Sequence, residues 1–173
     1  KLLADEAVQE SEESVAQLRA YRALYYYLLF DLFRNIPLDT TYDHPDGWLP
    51  EQAESQEVWD FIISELDDIK DKCGDEVEMG QINNYTVHMI LAKMYLNHNA
   101  WFDDHSDDSY YRKCVDELNV IIESNKFSLA PNYADSFKED ISSSPEIIFG
   151  IPFEYLYASG NYFANLWMNE AGR

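Results

Sequence analysis

From Ser11 to Phe33 the chain reads SEESVAQLRAYRALYYYLLFDLF, and this stretch constrains the fold more than any other. Leu18, Tyr21, Tyr25, Leu28 and Leu32 recur at steps of three and four. That spacing places them on one face of a helix. Ala20, Ala23, Leu24 and Tyr27 widen the face until the C-terminal half is apolar nearly all round. A helix without a polar side needs neighbours on several sides, so it belongs inside a packed assembly. Its longest apolar run, Ala23 to Phe30, is bounded by Arg22 and Asp31 and is far short of the roughly 20 residues of a membrane span. Pro37 closes the region, because the residue before a proline is pushed out of helical geometry.

Three more helices follow. The second is expected over about Ser55–Lys72, with Ser55 as N-cap, Val58, Ile62, Leu66 and Ile69 as its buried stripe, Trp59 and Ile63 beside it, and Gly74 as its stop. The third spans about Asn84–Asn97 and the fourth about Ser109–Ser124, with Val115, Leu118, Ile121 and Ile122 expected to be buried. The segment Asp39 to Pro50 is rich in turn formers. The segment NHNAWFDDHSDD between the third and fourth helices reads as a polar, acidic loop. After Asn125, Glu146 to Phe153 (EIIFGIPF) is a bounded apolar run of strand length, which periodicity alone does not separate from buried helix.

The helices carry a weak internal repeat. Ala92, Tyr95, Cys114, Leu118 and Ile121 fall in the order of the small and aromatic positions of a tetratricopeptide repeat. Ala23, Tyr26, Trp59, Ile63 and Leu66 echo that order across a longer insertion. The expected fold is all-α: tetratricopeptide-like helical hairpins with long irregular loops over 1–125, and a loop-rich, ligand-binding region beginning over 126–173 with a short strand-like segment. The chain opens on Lys1-Leu2-Leu3 with no initiator methionine or signal peptide and reads as an internal fragment.

Charge excludes several functions. With 33 acidic and 12 basic residues the formal net charge is -21. Such a surface repels phosphate backbones and anionic lipid, which argues against nucleic acid and against a basic membrane patch. Cys73 and Cys114 have no metal or redox spacing and read as two free, partly buried thiols, a bridge between them being the alternative. The loop Asp103–Asp108 fits no EF-hand register, and the histidines lack zinc spacing. His88 reads as a helix residue with a satisfied ring. Asn84-Tyr85-Thr86 fits a glycosylation sequon and equally a helix N-cap at Asn84. No nucleophile elbow, phosphate loop or dinucleotide fingerprint occurs, so no catalytic residue, cofactor or metal site is assigned.

Aromatic residues make up 15% of the chain, 13 tyrosines and 4 tryptophans among them. Helical Tyr21, Tyr25, Tyr26 and Tyr95 read as core. Rings in loops, set among Asn, Asp, Gly and Ser, suit a sugar: the ring covers an apolar C–H face and polar neighbours bind the hydroxyls. On that chemistry Trp48, Trp101, Tyr155, Tyr157, Asn161, Tyr162, Asn165 and Trp167 are the candidate ligand-binding residues, anchoring of the loops being the other use of such rings.

Several motifs taken together resemble the SusD/RagB family of nutrient-binding outer-membrane lipoproteins. Leu18-Arg19-Ala20-Tyr21, Tyr25-Tyr26-Tyr27-Leu28-Leu29 and Asp31-Leu32-Phe33, ending in Asn35-Ile36-Pro37-Leu38, resemble one family helix. Trp59-Asp60-Phe61-Ile62-Ile63 with Glu65-Leu66 resembles the next, and Gly80, Leu91-Ala92-Lys93 and Tyr95-Leu96-Asn97 the following one. Asn132-Tyr133, Phe137 and Ser144-Pro145-Glu146-Ile147-Ile148-Phe149 match two later motifs. Arg34 stands where the family usually has glycine, and Gln81 where arginine commonly follows Gly80. The resemblance implies a non-catalytic surface protein of the outer membrane. Its implied ligand is an oligosaccharide, its implied partner a SusC-like TonB-dependent transporter, and its implied membrane attachment an N-terminal lipid anchor outside this sequence. It places part of the ligand site in the tail after Phe153. The alternative is a tetratricopeptide-like scaffold that binds a protein partner without binding sugar.

Overall fold

Ser11 starts the longest helix by accepting a hydrogen bond at its Oγ from the Ser14 N–H, 3.2 Å away, which satisfies one of the free donors of the first turn. The computed structural model describes residues 2–9, 11–138 and 140–151. Within them lie a short helix α1 (Glu6–Gln9) and four longer ones: α2 (Glu12–Phe33), α3 (Ser55–Ile69), α4 (Asn84–Phe102) and α5 (Ser109–Glu123). Single 3-10 turns form at Leu2–Ala4 and Tyr133–Phe137. Helix α2 packs against α3, α3 against α4 and α4 against α5, so two helical hairpins stand side by side, as the repeat pattern predicts.

The seam between the hairpins is the core. Phe30, Val58, Ile62, Leu66, Val87, Leu91 and Met94 have no measurable exposure, and each such side chain stabilises the fold by about 1.5–3 kcal/mol relative to leaving it in water. Trp59 is enclosed by the rings of Tyr95, His98, Phe102 and Tyr110, with centroids 5.0–6.4 Å away. The repeat positions Ala23, Leu66, Ala92, Tyr95, Cys114 and Ile121 are all buried. On the α2–α3 seam, Glu65 accepts from Arg19 Nη2 at 2.7 Å and also pairs with Arg22. Burial alone would raise the Glu65 carboxyl, but the two guanidinium groups together outweigh it and hold it below its ordinary value.

Several expectations are corrected. The buried stripe of α2 is Ala16, Ala20, Ala23 and Phe30, while Tyr25, Leu28 and Leu32 point outward. A helix whose C-terminal half is apolar nearly all round has no unique stripe there, and small alanines leave room for a neighbouring helix. Val115 and Ile122 of α5 are exposed, leaving Cys114 and Ile121 as its buried residues. Helix α4 is capped by Asn83, whose Oδ1 accepts from the Thr86 N–H at 3.0 Å. Asn84 instead accepts from the Cys73 N–H at 2.8 Å, tying the α3–α4 turn. Ser55 is the first helical residue of α3 rather than its cap. His88 is only half satisfied: Nδ1 lies 2.5 Å from Glu117 Oε2, and the buried Nε2 has no hydrogen-bond partner. Glu146 to Ile151 forms no strand, and Phe149 packs edge-on against Tyr21 instead. Both cysteines are free and buried; burial, with Glu13 adding, pushes the Cys73 thiol up to about 12.

Candidate functional site

The α2–α3 connection leaves the helices through a pinned neck. Ile36 is buried, its carbonyl accepts from the Ala53 N–H at 3.0 Å, and Pro37 bridges Gln52. Between these points the chain makes an excursion tied to α2 through Tyr26. The Tyr26 hydroxyl donates to the Asp39 carbonyl at 2.8 Å and accepts from the Asp39 N–H at 2.9 Å.

From this anchor the loop builds outward. The Asp39 carboxylate accepts from the Thr41 N–H (2.9 Å) and hydroxyl (3.0 Å). Its other oxygen lies 2.7 Å from His44 Nε2, so the Nε2–H tautomer of His44 donates to it. The Thr41 backbone N–H foremost, then its hydroxyl and His44, hold the Asp39 carboxyl below the usual carboxylate range. A turn follows, closed by the Trp48 N–H on the Pro45 carbonyl at 3.1 Å. Gly47 supplies its left-handed φ of 81°. The turn lays the Trp48 indole flat on the His44 imidazole, with centroids 3.6 Å apart and planes 2° from parallel. One face of the indole is thereby covered, while the residue keeps 41% of its exposure. Tyr42 is also exposed, and Thr40 to Asp43 border a recess of about 410 Å³ against Leu3 and Ala4. Between Asp39 and Glu51 the charged residues are Asp39, Asp43, Asp46 and Glu51, with no lysine or arginine.

Trp101 has a different setting. It was expected in a loop, but α4 runs on to Phe102. The stripe Leu91, Met94, Tyr95, His98, Trp101 and Phe102 continues at helical spacing through the presumed loop. The Trp101 ring meets Phe30 edge-on at 4.9 Å and lies under the Arg34 guanidinium, also at 4.9 Å. It is a half-buried packing residue well integrated into the helix ends. Tyr155, Tyr157, Asn161, Tyr162, Asn165 and Trp167 lie outside the described residues. The sequence reading missed His44 and Asp39, although His44 four residues before Trp48 across Pro45-Asp46-Gly47 was a usable signal.

A cleft of about 510 Å³ between α2, α4 and residues 146–151 is walled by Leu24, Leu28, Met89, Ile90, Ile147 and Phe149, among others. Its polar residues are few, which suits a sugar poorly. Among the described residues no group of three or more His, Cys, Asp or Glu side chains is placed to hold a metal ion, and no helix is long and apolar enough to cross a membrane. In the acidic loop, Asp104 and Asp107 accept backbone N–H groups of Ser106 and Ser109 at 3.0 and 2.7 Å, as turn-forming carboxylates do.

No family model matches the chain. The starch-binding protein SusD of Bacteroides thetaiotaomicron is 25% identical over 127 residues, which cover 72% of this chain and 22% of SusD. A SusD superfamily protein of Parabacteroides distasonis superposes with a TM-score of 0.72 at 23% identity, over 91% of this chain and 34% of that one. The surface glycan-binding protein A of Bacteroides thetaiotaomicron, solved with laminarihexaose, superposes with a TM-score of 0.67 at 24% identity, over 83% and 28% of the two chains. The fold is SusD-like. This chain spans about a fifth of SusD and about a third of the solved SusD-like chains. Arg34 closes α2 at a φ of 62°. Its guanidinium, over the Phe30 and Trp101 rings, offsets part of that backbone strain.

Proposed function

We propose that the protein binds neutral oligosaccharide without cleaving it, at the outer-membrane surface, as the partner of a SusC-like TonB-dependent transporter in nutrient uptake. The observation that carries this reading is the open face of Trp48. A flat indole, fixed from behind and bordered by hydroxyl and carboxylate groups, matches a pyranose with an apolar C–H face and a polar rim. The acidic loop favours a neutral sugar over an anionic one, since carboxylates repel a uronate. Similarity to SusD and to a laminarihexaose-binding protein supports the same class of ligand. Tyr155, Tyr157, Asn161, Tyr162, Asn165 and Trp167 are proposed as further contacts. Trp101 is set aside because its ring is committed to packing.

Calorimetry on the intact protein tests this, with laminarihexaose and a panel of other neutral oligosaccharides. The expected result is binding of at least one neutral glycan, no binding of an oligouronate, and no released product. Binding of none would overturn the reading.

A second reading, a scaffold for a protein partner, draws on one observation. Tyr25, Leu28, Leu29, Leu32 and Phe33 leave one side of α2 apolar and exposed, the kind of patch that marks a protein contact. Co-purification of a β-barrel protein without any glycan binding would favour it.

A further inference from the structure

We propose that His44, held by Asp39, is the positioning residue that makes Trp48 a preset sugar platform. This inference rests on the glycan-binding reading above and adds the residues that aim the ring. An indole on an irregular loop has two soft side-chain torsions and loses their freedom on binding a ligand. Here that freedom is already restricted. Tyr26 fixes the Asp39 backbone from α2, the Asp39 carboxylate holds the His44 ring by its Nε2, and the imidazole plane sets the indole plane at 2°. The chain of contacts runs from Tyr26 on α2 through Asp39 and His44 to the Trp48 ring. It also occupies the inner face of the indole, so a sugar is directed to the outer one.

The experiment compares four variants of the intact protein: His44→Ala, His44→Phe, Asp39→Asn and Trp48→Ala. Each is read by the near-ultraviolet circular dichroism of the indole and by calorimetric affinity for the best neutral glycan of the panel. Far-ultraviolet dichroism confirms that the helices are retained. The expected result is that His44→Ala loses the Trp48 band and weakens binding about three- to tenfold, the range that one aromatic pair supports. His44→Phe, which keeps a flat ring behind the indole, recovers most of both. Asp39→Asn falls between them. A band and an affinity unchanged in His44→Ala, while Trp48→Ala abolishes binding, would overturn the positioning role alone. Unchanged affinity in Trp48→Ala would overturn the platform itself and the positioning role with it.

Discussion

Two connections join the helices within the hairpins: one carries a tryptophan, and the other is preceded by one in the helix that leads to it. The α2–α3 connection is long, pinned at its neck, and ends with Trp48 lying on His44 at the surface. The α4–α5 connection is short, and Trp101 before it belongs to the last turn of α4, packed on Phe30 and Arg34. The two rings therefore have opposite settings. Where the apolar stripe of a helix continues into the connection, the ring is drawn into the core. Where the helix ends short of a proline and turn formers follow, local contacts hold the ring outside.

The contrast can be broken from the core outward. Leu66→Ala, at a core site with no exposure on the seam between the hairpins, should cost about 2–5 kcal/mol, read from the urea midpoint. A loss well below that range would mean the hairpins are not pinned as described. Acid should act next. Glu65 has its folded-state carboxyl held below its ordinary 4.5, so its contribution is present above that pH and is lost as pH falls through the lower, folded value. Glu65→Gln should therefore flatten the acid limb of the stability profile relative to the parent chain, and a parallel limb would remove the ion cluster from the account. Smaller still is the effect at the end of α2. Arg34→Ala keeps the positive-φ strain and loses the ring contacts and the guanidinium's hydrogen bonds to the Phe30 and Asp31 carbonyls, together at about 1 kcal/mol. Arg34→Gly relieves the strain while losing the same contacts, so its net effect should be less than about 0.5 kcal/mol. Equal losses in the two variants would show that the φ of 62° carries no cost.

Much of the helical frame was legible because burial leaves a periodic trace. The stripe of α3 and the small and aromatic repeat positions named the seam correctly. The face of α2 was not legible, because leucines and tyrosines surround it and the alanines that decide the packing are weak signals. The end of α4 was missed because Asn97, Asn99 and the following aspartates masked a stripe that runs on through His98, Trp101 and Phe102. At the site, the ring of Trp48 could be read from composition, but its backing could not. The Asp39–His44 contact joins loop residues through a turn and leaves no periodicity to detect.

The most direct test sets the two tryptophans against each other, with stability and glycan affinity measured on Trp48→Ala and Trp101→Ala side by side. The account predicts that Trp48→Ala keeps stability to within about 1 kcal/mol and loses about tenfold or more in affinity. Trp101→Ala should lose about 2 kcal/mol of stability and bind glycan as before. The reverse pattern, with affinity following Trp101 and indifferent to Trp48, would contradict it.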